Sequence, residues 1–204
     1  LPFLLFIEIP EVAEDFWIAI LLSGGLNVIT TILYMKAISH SDLSLSVPMV
    51  AFTPLFLLVT SPLIVGEFPN FTGVLGVMLI VLGSYFLNIK EAQKGLLAPF
   101  RSLVSQKGPR YMLLVAFIWS LSSNFDKMGV QASSPLFWAI AVNVFIAFAM
   151  IPVVFVKVRK QPVDLLTNWK KYLPIGMLGA ATLIFQMLAI SLTLVAYVIS
   201  IKRT

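Results

Sequence analysis

The stretch GGLNVITTILYMKAIS at 24–39 returns as GMLGAATLIFQMLAIS at 176–191. Gly24, Leu26, Thr30, Ile32, Met35, Ala37, Ile38 and Ser39 align without a gap on Gly176, Leu178, Thr182, Ile184, Met187, Ala189, Ile190 and Ser191, and the register covers 24–46 and 176–198. Each copy sits in an apolar run near the roughly 20 residues that a membrane helix needs. Two matching membrane modules in one chain are the pattern expected of a carrier whose site lies between its halves.

Composition supports a lipid environment. Of the 204 residues, 59% are hydrophobic and 11% charged, where a soluble domain carries about 25% charged residues. Mean hydropathy is +0.99. The chain has no cysteine and one histidine, which removes thiolate chemistry and disulfides and leaves no basis for a metal or other cofactor. The net charge of +5 comes from two short loops between apolar runs, so membrane topology accounts for it better than nucleic acid does. The chain opens inside an apolar run, Leu1–Ile9, and Thr204 falls early in another that begins near Leu194. The expectation is a segment cut at both ends, with no visible signal peptide.

Spans are expected at about 16–38, 44–66, 70–89, 111–131, 135–156 and 172–192, as helices, because hydrocarbon offers no partner to open backbone groups. The fold class is therefore an all-α, polytopic integral membrane bundle. Segment 90–110 holds Lys90, Lys94, Arg101, Lys107 and Arg110 among leucines and suits a surface-lying amphipathic linker. Segment 157–171 is also basic, whereas Glu11, Glu14, Asp15 and Glu67 mark the opposite side. The positive-inside rule makes the basic side cytoplasmic.

Polar residues within spans should face the interior, because a charge at mid-bilayer costs about 2.5–3.5 kcal/mol on insertion scales. Asn27, Thr30, Thr31 and Tyr34 share one helical face. Thr182 and Gln186 repeat that polarity in the second copy. In 111–131, Trp119, Ser120, Ser123, Asn124, Asp126 and Lys127 fill about half the circumference, and Phe117, Ile118, Leu121, Phe125 and Met128 the other half. One half is expected to face a cavity and the other lipid; helix-to-helix bonding is the alternative use of the polar half. Asp126 and Lys127 read as an interfacial pair near a helix end, or as a snorkelling lysine, with a coupling, gating or substrate role as the alternative. Glu67 ends its helix and needs a cation or water there. Lys202 and Arg203, at the start of a later span, are the best candidates to hold an anionic group. Pro48, Pro54 and Pro62 should bend or break the 44–66 span. Gly73, Gly76 and Gly83 suit close helix packing.

The stretch Ala37–Asn88 resembles the EamA family of the drug/metabolite transporter superfamily, on Ala37-Ile38-Ser39, Pro48, Thr53-Pro54-Leu55, Gly66-Glu67, Gly73-Val-Leu-Gly76 and Leu82-Gly83. The second half is similar: Trp119, Asp126-Lys127, Ala189-Ile190-Ser191 and Val198–Thr204. The resemblance implies ten helices in two inverted five-helix repeats around a central cavity. On that count 1–89 is a first repeat lacking its first helix, 90–110 the linker, and 111–204 a second repeat lacking most of its last two helices. It also implies cytoplasmic termini, which puts 90–110 outside, against the charge bias.

The functional expectation is a secondary transporter, an exporter or permease that moves a small-molecule substrate across the cell membrane by alternating access, with coupling to a proton or counter-substrate left open. Oligomeric state is left open too. A structural or signalling membrane subunit is the alternative. An intramembrane enzyme fits less well: HExxH, GxSxG and paired intramembrane carboxylates are all missing from the sequence.

Overall fold

The computed structural model describes residues 10–40, 43–91, 105–158 and 169–203. They form α1 (Asp15–His40), α2 (Leu43–Ser46), a 3₁₀ segment (Val47–Phe52), α3 (Thr53–Ile64), α4 (Phe71–Glu91), α5 (Lys107–Gln131), α6 (Pro135–Val158), α7 (Trp169–Leu192) and α8 (Val195–Lys202). No strand occurs among the described residues. Most of the two basic segments, 92–104 and 159–168, lies outside them.

Four stretches are long and apolar enough to cross a membrane: Asp15–His40, Val47–Ile64, Pro135–Val156 and Leu173–Leu192. The sequence reading also placed spans at 70–89 and 111–131. Both are helices, α4 over 21 residues and α5 over 25; α5 is the more polar of the two. Its polar side chains are tolerated because α5 is enclosed. It packs against α1, α2, the 3₁₀ segment, α3, α6, α7 and α8. The rim faces outward with large apolar side chains, including Leu63 at 80% exposure and Leu192 at 86%, which only lipid can solvate without penalty.

Local sequence explains where elements stop. The proline-bearing segment is not one continuous helix. Pro48 lies in the first turn of the 3₁₀ segment and Pro54 in the first turn of α3, where a missing N–H costs nothing. Pro62 sits inside α3. That helix ends at Gly66, whose φ of 68° is a left-handed turn that a side chain would strain. Asn70 starts α4, its Oδ1 accepting the Gly73 amide at 2.8 Å. Ser134 does the same for α6, accepting the Phe137 amide at 3.3 Å.

Apolar contacts form two clusters near opposite ends of α5. Val130 joins Phe16, Leu57, Trp138, Met187, Ile190 and Ile199. Met112 and Val115 join Ala37, Met49 and Tyr85. Trp138 is fully buried because residue 129 is glycine: a Cβ there would lie 2.2 Å from the indole. Between the clusters α5 is polar.

Candidate functional site

The polar middle of α5 makes three sets of contacts. Toward α1 and α6, Asp126 Oδ1 accepts the Ser23 hydroxyl at 2.5 Å and the Trp138 indole N–H at 3.2 Å. Asn27 Nδ2 donates to Ser122 Oγ at 2.6 Å and to the Ser23 carbonyl at 2.9 Å. Toward α3, Asn124 Oδ1 accepts the Ser61 hydroxyl at 2.7 Å, and its Nδ2 donates to Thr60 Oγ1 at 3.0 Å. Interhelical bonds of this kind contribute about 0.6–2 kcal/mol each in a membrane, where burial of apolar surface does little to hold helices together.

The third set is ionic. Lys127 Nζ lies 3.1 Å from Glu67 Oε1 and donates to the carbonyls of Ile190 at 2.6 Å and Thr193 at 3.1 Å. Glu67 Oε2 accepts the Val195 amide at 2.9 Å. The cation therefore caps the C-terminal end of α7 and the anion the N-terminal end of α8, each on the side its helix dipole favours. The expected pairing of Asp126 with Lys127 is corrected: neighbours on a helix point about 100° apart, so the carboxylate faces α1 and α6 while the ammonium faces Glu67.

A further group gathers at the C-terminal end of α8. Lys202 Nζ donates to Gln186 Oε1 of α7. The Arg203 guanidinium lies 4.4 Å from the centre of a Trp119 ring, a cation–π distance, and Trp119 in turn lies 5.8 Å from Tyr34 of α1. Four helices thus bring Tyr34, Trp119, Gln186, Lys202 and Arg203 together.

Other sequence candidates fall elsewhere. Thr31 and Thr182 are exposed and bond back to Asn27 O and Leu178 O on their own helices, each at 2.8 Å. Thr30 is buried and does likewise at 3.0 Å. Ser120 and Ser123 are buried on α5. Of the apolar half of α5, Phe117 is exposed, while Ile118, Leu121, Phe125 and Met128 are half covered, so that face meets helices as well as lipid. Ser23, Ser122, Thr60, Ser61 and Trp138 went unnoticed in the sequence. Ser23 extends the α1 stripe one turn back from Asn27, and Thr60-Ser61 is the polar pair midway along an otherwise apolar α3; both were readable signals. Among the described residues no group of three or more His, Asp or Glu could hold a metal ion. A cavity of about 300 Å³ between α4 and α8 is lined by Gly73, Gly76, Val77, Ile80, Tyr197 and Ser200, with Ile201 at its edge.

A bundle with an apolar rim and a bonded polar interior defines an integral membrane protein of helical, multi-span type. Residues 1–89 match the model of the EamA-like transporter family, consistent with the drug/metabolite transporter superfamily. No curated protein and no solved structure matches the chain.

Proposed function

We propose that this protein is a secondary transporter of the cell membrane, moving a small polar metabolite by alternating access between two related halves. The observation that carries this reading is the meeting of Tyr34, Trp119, Gln186, Lys202 and Arg203 from four helices. Aromatic faces, an amide and two cations form a mixed polar site within the bundle, the composition expected where a solute is held. The two cations favour a substrate with an anionic group. The family match over residues 1–89 supports transport over catalysis.

Purified protein in liposomes tests this. A screen of labelled metabolites (anionic, neutral and cationic) should find one that crosses unchanged. Product formation would mark an enzyme, and neither result a structural subunit. Gln186→Leu and Asn27→Leu should both impair flux while membrane insertion stays normal by protease mapping. Wild-type flux in Gln186→Leu removes that residue from the site, and wild-type flux in Asn27→Leu leaves Asn27 as an interhelical contact alone.

A further inference from the structure

Asp126 has no task in the site just proposed. It is 6% exposed, and both bonds to its Oδ1 come from neutral donors, Ser23 of α1 and Trp138 of α6. The charged groups on the surrounding elements make their bonds elsewhere, while Lys202 of α8 also acts on the carboxylate through its charge. Lys127, its neighbour on α5, holds Glu67. On α8, Lys202 holds Gln186 and Arg203 lies over Trp119. From α1 it meets Ser23, beside Asn27, and from α6 the indole alone. An ionisable side chain inside a membrane bundle, hydrogen-bonded by neutral donors alone, is a functional group by default.

Both protonation states are workable there. The carboxylate is held by charge-assisted bonds, roughly twice as strong as neutral ones. The acid spares the cost of a buried charge. We propose that Asp126 is a proton-binding site, and that its occupancy sets how tightly α5 grips α1 and α6. One proton adds to one carboxylate and gives one carboxylic acid. The Ser23 bond then changes from charge-assisted to neutral, and Ser23 also meets Ser122 at 3.2 Å and Asn27 at 3.3 Å, so the change reaches the polar stripe of α1. This deepens the carrier reading, on which any coupling use of the proton rests; the proton site stands or falls separately.

Trp138 is a built-in reporter. The chain has four tryptophans; replacing Trp17, Trp119 and Trp169 by Phe leaves its indole alone. In nanodiscs, its emission followed from pH 4 to 9 should show a single one-proton step. The step should vanish in Asp126→Asn and persist in His40→Gln. A flat profile, or a step that survives Asp126→Asn, overturns the proposal. Should Asp126→Asn fail to assemble, infrared spectra of the Trp138-only protein should show a carboxylic-acid C=O band with the same midpoint as the emission step. Lack of a shared midpoint overturns it equally. A protein that moves solute in the liposome screen while Trp138 stays silent keeps the carrier reading and loses this one.

Discussion

Helices α1 and α7 carry the two copies of the repeat, and the bundle uses them differently. Gly24 is buried against the Phe145 ring, whereas the matching Gly176 faces open space. Thr30 is buried and Thr182 exposed. At the matched methionines the order reverses: Met35 is 54% exposed and Met187 fully buried. The reason is the neighbour. α1 lies along α5, bonded through Ser23 and Asn27, whereas α7 buries mainly its last turns, around Gln186, Met187 and Ile190. A repeated pattern determines helix length and the positions of small and polar residues. Which of those positions are used depends on what packs against them.

The attachments differ in kind as well, and this makes the comparison testable. α7 is tied to α5 through the Lys127 ammonium on its last carbonyls, an ammonium paired with Glu67, and α1 through several side-chain hydrogen bonds. The largest expected effect is therefore at Glu67. Glu67→Leu leaves the Lys127 ammonium buried without its anion, which costs about 3–5 kcal/mol. It should appear as a large fall in melting temperature in detergent. The double variant Glu67→Leu/Lys127→Leu should recover much of that loss, since replacing a whole buried pair by apolar groups is often neutral. Equal damage in the single and double variants would mean that the pair does not act as a unit.

Next in size is the glycine pair. Gly24→Ala puts a Cβ 2.2 Å from the Phe145 ring, and such overpacking costs about 1–3 kcal/mol. Gly176→Ala meets nothing within 4 Å and should be neutral or stabilise by about 0.5–1 kcal/mol through reduced chain entropy. Thermal melts of the two variants compare them directly, and the same sign for both would erase the asymmetry. The smallest effect is at the threonines. Thr30→Val removes a buried hydroxyl whose bond lies within its own helix, a loss of about 1 kcal/mol. Thr182→Val, on the open face, should stay within about 0.5 kcal/mol.

Much of the architecture could be read without coordinates. Apolar runs located the helices, and Pro48 and Pro54 marked where the 44–66 segment changes its winding. The polar half of α5 was visible from periodicity alone. Its partners were not. Periodicity states which residues share a face, but not which helix arrives there. Hence Ser61 and Thr60, which satisfy Asn124, and Trp138, which donates to Asp126, carried no pairing signal. Asp126 and Lys127 misled for the same reason, because adjacency in sequence suggests a pair while helical geometry turns them toward different neighbours. How far neighbouring helices cover the apolar half of α5 was not legible either, because a one-dimensional pattern does not reveal which elements enclose a helix.

The junction between α7 and α8 has a consequence for biosynthesis. Glu67 leaves the ribosome 128 residues before Val195, the amide it will cap. Until the later helix arrives, that glutamate has no N–H to receive, and Lys127 can meet it but has no Ile190 or Thr193 carbonyl to bind. The early helices must wait, inserted but unlatched, for the late ones. Expressed as two separate polypeptides, the halves should be poor substrates for assembly singly and should rescue one another when made together.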